Sequence, residues 1–181
     1  MNAPNRNGRV FWTAAAAVIA LDVVSKILVV RYIGLDRVPH RVIGSVVRFT
    51  LAYNPGAAFS MSLGRYQRWL FGAFAAIALV IVWRLYRSWS LHRSTPGRDL
   101  ARTLSLGLIW GGAAGNLIDR VVSARGVVDF IDIGVGDVRF WTFNVADSAV
   151  TVGAVLLALV LWRDDRDIAR AGDPIETQSA K

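Results

Sequence analysis

Apolar residues dominate four stretches of this chain, roughly 10–32, 68–86, 102–118 and 143–162. Each approaches the ~20 apolar residues a helix needs to cross a bilayer. The pattern therefore predicts an all-α integral membrane protein with four transmembrane helices in one domain, residues 1–162. Between the first and second stretches the period changes. In RFTLAYN, Phe49, Leu51 and Tyr53 alternate with Arg48, Thr50 and Ala52, the period of a half-buried strand. NPG follows, with Pro55 and Gly56 suited to the centre of a tight turn. Between the third and fourth stretches, GVVDFIDI is rich in β-branched residues, and GVGD leads into VRFWTF as a hairpin. Outer β segments over about 42–60 and 126–143 thus predict a small sheet at one membrane face. Residues 163–181 are polar and of mixed charge, and read as a cytoplasmic tail, disordered past Ala171.

The first stretch imitates a signal peptide, with Arg6 and Arg9 ahead of VFWTAAAAVIAL. The apolar run resumes after Asp22 and Lys26, however, and the whole block reaches spanning length. It is read as a retained helix. Composition agrees with the membrane class: 54% of the 181 residues are hydrophobic, and the mean hydropathy is +0.42. Arginine placement gives the orientation, because Lys and Arg resist translocation. The connection near 84–102 carries Arg84, Arg87, Arg93, Arg98 and Arg102, so it is expected in the cytoplasm together with both termini. The 119–142 connection balances Arg120, Arg125 and Arg139 against Asp119, Asp129, Asp132 and Asp137, and is expected outside. The 33–67 loop runs against this rule, with Arg37, Arg41, Arg48 and Arg65 on the outer side. A net charge of +8 spread over loops at both faces fits membrane lipid headgroups better than a nucleic acid. No obligate protein partner is evident.

The chemistry available is narrow. The chain has no cysteine and two histidines, His40 and His92, expected on opposite sides of the membrane. A thiol nucleophile, a Ser–His–Asp triad and a His-rich or Cys-rich metal site are therefore disfavoured, and no cofactor is expected. What remains is carboxylate, amide and cationic side chains near the ends of the spans.

Asp22 and Lys26 lie one turn apart on the first span. Either charge alone would cost about 2.5–3.5 kcal/mol at a helix centre, so they form an ion pair that is structural or lines a nearby site. Gly107, Gly111 and Gly115 recur every four residues, a ridge along which a second helix can approach closely, within the bundle or from another copy. Asn116, Asp119 and Arg120 crowd the end of that span, with Asn116 and Arg120 able to point at a shared anion or carbonyl. Asp129, in VVDFI, would share a strand face with Val127 and Ile131, and Asp132 would face the other way with Val128 and Phe130. Asp147, in FNVADS, opens the fourth span, where an aspartate commonly caps a helix. Two carboxylates held together share a proton, so one can activate water while the other polarises a carbonyl. Residue types alone leave capping and catalysis both open.

NPGAAFS, GGAAGNLIDR, VVDFI and FNVADS occur in this order, and with the Asp22–Lys26 pair they closely resemble the lipoprotein signal peptidase (signal peptidase II) family. The resemblance covers about residues 10–162. It implies a bacterial inner-membrane aspartic endopeptidase that removes the signal peptide from diacylglyceryl-modified prolipoproteins. It also implies four transmembrane helices with a small extracytoplasmic β-cradle. Carried over by motif, Asp129 and Asp147 would be the catalytic pair, and Asp119 would be supportive. Asn54, Gly56, Asn116, Arg120 and Asn144 match the polar positions that line the family's site. Two rivals stand beside this reading. A small proton-coupled transporter or channel subunit would also carry intramembrane charges, and a scaffold protein would account for the glycine ridge.

Overall fold

The computed structural model describes residues 6–34, 37–56, 66–91 and 96–171. Its long helices are α1 (Arg6–Tyr32), α2 (Gln67–Leu91), α3 (Pro96–Val122) and α4 (Val145–Ala171). Strands β1 (Pro39–Ile43) and β2 (Val47–Asn54) join α1 to α2, and β3 (Val127–Val135) and β4 (Val138–Arg139) join α3 to α4. A helix of 27 residues such as α1 is about 40 Å long, more than the ~30 Å hydrocarbon core of a bilayer.

Among the described helices, α1, α2 and α4 are long and apolar enough to cross a membrane. The expected span at 102–118 falls within α3, which lacks that apolarity. Its position explains why. α3 packs against α1, α2 and α4, and its buried side carries Thr103, Ser105, Ala114 and glycines beside a single large aliphatic residue, Leu106. By contrast, α1 buries only Phe11, Ala15, Val18, Asp22, Lys26 and Val29, a single stripe at helical spacing. Its other faces expose Leu21, Val24, Ile27 and Leu28, as a helix surrounded by lipid would.

The glycine ridge packs within the chain. A Cβ at Gly107 would lie 2.8 Å from the Phe11 carbonyl oxygen, and one at Gly111 the same distance from that of Ala15. One at Gly115 would meet Asp22 Oδ2 at 2.7 Å. So α1 lies against α3 backbone to backbone, which carries the Asp22 and Lys26 side chains to the end of α3. An aromatic cluster closes the other end of this contact, with Phe11 stacked on Tyr86 of α2 at 4.3 Å between ring centres.

α2 runs past its expected span to Leu91, α3 covers Pro96–Val122, and two further boundaries differ from expectation. The fourth helix does not end near 162 but continues to Ala171, so residues 163–171 of the expected tail are its last turns. They are held by charge: Arg98 and Arg102 at the start of α3 pair with Asp164, and Arg98 also with Asp167. Strand β1 starts at Pro39, ahead of the expected limit at 42, because PHRVI is exposed throughout and carries no alternation to read. The residues past Ala171, His92, and the AAFS of the first motif lie outside the described residues.

The four strands form one antiparallel sheet in the order β1-β2-β3-β4. A β-bulge interrupts β2 where Phe49 pairs with Ile131 but Ala52 pairs with Asp129. Val29, Leu51, Val128 and Phe130 form the buried cluster that seats the sheet on α1. The β3–β4 turn places Gly136 at φ 57°, which suits the first central position of a two-residue hairpin turn.

Candidate active site

The start of α4 organises the site. Asn144 precedes the helix, and its Oδ1 accepts the main-chain N–H of Asp147 at 2.9 Å. Asp147 Oδ2 in turn accepts the main-chain N–H of Asn144 at 3.2 Å. This reciprocal pair is a capping box, with Asn144 as the cap and Asp147 three residues on. A second free donor of the first turn, the Ala146 N–H, reaches Asp22 Oδ1 of α1 at 2.9 Å. Capping at Asp147 is thus present, and it leaves Oδ1 free to accept from Asn116 Nδ2 at 2.7 Å.

Asn144 also reaches the other carboxylate. Its Nδ2 donates to Asp129 Oδ1 at 2.7 Å, so one residue holds both Asp129 and Asp147. Asn54 Nδ2 donates to Asp129 Oδ2 at 3.1 Å, and Asn54 Oδ1 accepts the Gly56 N–H at 2.9 Å. The bulge in β2 adds one residue to that strand and shifts its alternation. It thereby turns Asn54 to the side of the sheet that carries Asp129. At Gly56 the chain leaves the strand with φ 112°, and a Cβ there would drive into the Phe71 ring, so only glycine fits.

Lys26 ties the ion pair of α1 to this cluster. Its Nζ contacts Asp22 Oδ2 at 2.6 Å, Asp119 Oδ2 at 2.8 Å and Asn116 Oδ1 at 3.2 Å. Asp119 Oδ2 also accepts the Val128 N–H at 3.1 Å, so it braces β3. Asn116 passes the contact on, accepting from Lys26 and donating to Asp147. Arg120 bonds the main-chain oxygen of Asn116 at 2.9 Å, and its buried Nε has no partner among the described residues.

Burial acts strongly on the Asp129 carboxyl. Asp129 is 3% exposed. That burial, with the Asp147 charge added, pushes its carboxyl up to about 7, against the pull of the Asn54 and Asn144 amides. Asp147 lies at a helix N-terminus, where the dipole favours an anion. Beside it opens a cavity of about 320 Å³ lined by Phe140, Phe143, Asp147, Ser148, Thr151 and Val152, apolar except for the carboxylate and two hydroxyls. No group of three or more His, Cys, Asp or Glu side chains fit to hold a metal occurs among the described residues.

All nine residues singled out from the sequence therefore fall in one neighbourhood: Asp22, Lys26, Asn54, Gly56, Asn116, Arg120, Asp129, Asn144 and Asp147. Sequence reasoning missed the cavity wall and the double duty of Asn144. The second had a readable signal, since Asn-x-x-Asp ahead of an apolar run is a capping-box pattern.

Comparison with known proteins gives a consistent picture. The model of a family described as signal peptidase (SPase) II matches residues 14–163. A lipoprotein signal peptidase of Mycolicibacterium smegmatis is 41% identical over 175 residues, which cover 91% of this chain and 66% of that protein. One of Geobacillus thermodenitrificans is 42% identical over 156 residues, 84% of this chain and 89% of that protein. In structure, a bacterial membrane enzyme solved by the in meso method is similar with a TM-score of 0.69 at 27% identity, over 93% of each chain.

Proposed function

Because this chain belongs to the signal peptidase II family and is a peptidase, we propose that it removes signal peptides from diacylglyceryl-modified prolipoproteins by water activation between Asp129 and Asp147. The observation that carries this reading is the single Asn144 side chain and its own N–H, bonded to both carboxylates. Asp147, anionic at the head of α4, takes a proton from a water molecule as the water oxygen attacks the scissile carbonyl carbon. Asp129, protonated through burial, gives its proton to the carbonyl oxygen, and a tetrahedral diol results. Collapse of the diol breaks the C–N bond. The proton on Asp147 passes to the leaving nitrogen, and a hydroxyl proton returns to Asp129. No metal or covalent intermediate is required. The unpartnered Nε of Arg120 is suited to a peptide carbonyl.

We further infer four membrane spans, with α3 crossing as the central helix shielded from lipid by the other three. The Arg98–Arg102 end then faces the cytoplasm with both termini, and the sheet and the carboxylates sit at the outer boundary of a bacterial inner membrane, level with a lipid-anchored substrate. The charges inside α1 bond to the carboxylate cluster, which supports the peptidase reading over the transporter one.

The test is cleavage of a diacylglyceryl-modified prolipoprotein peptide by purified protein. Asp129→Asn and Asp147→Asn should each abolish turnover in folded protein, while Asp119→Asn retains some. Near-normal turnover in both of the first two would refute the pair and leave Asp147 a helix cap.

A further inference from the structure

Outside the carboxylate cluster, the Arg139 side chain is heavily bonded, and peptide hydrolysis as written above makes no use of it. Its Nε and one terminal nitrogen grip Asp132 Oδ1, at 2.8 and 2.7 Å. The same guanidinium bonds the carbonyl oxygens of Asp132 at 3.0 Å and Gly134 at 2.8 Å on β3, and that of Ser45 at 2.9 Å in the β1–β2 turn. Asp132 Oδ2 accepts Thr50 Oγ1 of β2 at 3.0 Å. A charge pair this enclosed, with side chains 18% and 10% exposed, is costly unless every donor is met, and here the fork meets nearly all of them.

What the pair holds is the β3–β4 hairpin. β4 has two residues, too few to keep a hairpin in place by ladder bonds alone. Arg139 instead staples it to β3 and to the β1–β2 turn. Phe140 follows directly. Its N–H bonds Ile133 O at 2.7 Å, and its ring packs edge-on against Phe143 at 5.9 Å. Those two rings form the wall of the 320 Å³ cavity whose other lining residues, Asp147 among them, belong to α4. The cavity reaches Val152, which is half exposed on the apolar flank of α4, so it connects the carboxylate to the surface that faces lipid chains.

We propose that Asp132 and Arg139 are positioning residues for substrate: by fixing the hairpin they set the Phe140–Phe143 wall, and the cavity behind it holds an acyl chain of the substrate beside Asp147. This rests on the peptidase reading. The pair touches neither reacting carboxylate. Its loss therefore weakens substrate binding while leaving the proton chemistry in place.

The experiment compares wild type, Arg139→Ala, Arg139→Lys and Phe140→Ala on two prolipoprotein peptides alike except for long or very short acyl chains. For the long-chain peptide, Arg139→Ala and Phe140→Ala should raise KM on the order of tenfold, with kcat nearly unchanged. For the short-chain peptide the variants should match wild type. Arg139→Lys should not rescue, since an ammonium cannot form the fork. An equal effect on both peptides, or a loss in kcat with KM unchanged, would overturn the proposal. Should Arg139→Ala not fold, Phe140→Ala decides alone, because it leaves the Arg139 contacts intact. Wild-type protein that cleaves neither peptide would sink the peptidase reading itself, whereas cleavage without the acyl-length split sinks only this inference.

Discussion

Asn144 and Asp129 show how single residues divide the work at the site. Asn144 is fully buried and bonds both carboxylates and Asn116 while capping α4. Serine at 144 would keep the cap, because its hydroxyl can still accept the Asp147 N–H, but would lose the amide donors. Asn144→Ser should therefore lower kcat roughly twofold to tenfold, the equivalent of ~0.5–1.5 kcal/mol for a hydrogen bond between uncharged groups, with helix content unchanged by circular dichroism. Asp129 sets the pH response. Its proton is held below about 7 and lost above it, and the proposed reaction needs one proton on the pair. kcat/KM should thus fall as pH rises through about 7, and a profile flat across that value would count against the assignment. The same sign applies to stability. A carboxyl raised above its unfolded value favours the folded state fully below the ordinary carboxylate range, and that contribution is lost as pH rises through about 7.

Among the elements, α3 is the one on which the others depend. Its three ridge glycines let α1 approach until Asp22 and Lys26 reach Ala146, Asn116 and Asp119. A methyl group at Gly111 would meet the Ala15 carbonyl oxygen at 2.8 Å and its Cα at 2.9 Å, backbone that cannot turn aside. Gly111→Ala should destabilise the detergent-solubilised protein by about 1–3 kcal/mol, as overpacking does, and lower turnover as well. Gly97→Ala, on the same helix where a Cβ meets nothing within 4 Å, should leave the melting temperature the same or slightly higher. Thermal melts of the two variants check both expectations, and equal melting would show that the ridge is not a tight contact. The sheet depends on its bulge in a similar way, because strict alternation through β2 would turn Asn54 away from Asp129.

For the whole molecule, the charged clasp and the carboxylate cluster lie at opposite ends of the bundle. Asp147 and Asp164 sit on the same helix, about 25 Å apart at 1.5 Å per residue. The proposed orientation puts the clasp in the cytoplasm and the cluster outside. Since the chain has no cysteine, single cysteines report without background. In intact spheroplasts a membrane-impermeant maleimide should label Asp137→Cys, in the exposed β3–β4 turn, and spare Gly97→Cys, at the exposed start of α3. The reverse pattern would invert the orientation and place the cluster on the cytoplasmic side.

Much of this molecule is legible in its residue order. Long apolar runs have one outcome in lipid, since every backbone polar group must be satisfied within the segment, so α1, α2 and α4 follow from hydropathy alone. Alternation gives β2, β-branched content gives β3, and the ordered motifs give the family. α3 is harder to read because small and polar residues, among them Thr103, Ser105, Gly107 and Gly111, take up much of its packed face. Local pattern is also silent on β1, and on the last turns of α4, which are held by arginines more than 60 residues away in sequence. Which residues meet is decided by packing. Asp129 and Asp147 lie on a strand and a helix, and no local rule brings them to one asparagine. That follows from helices touching at glycine and from a single extra residue in β2, both properties of the folded chain. Tertiary structure likewise raised Asp129 toward neutrality, because burial and a neighbouring charge exist only once the chain has closed around them.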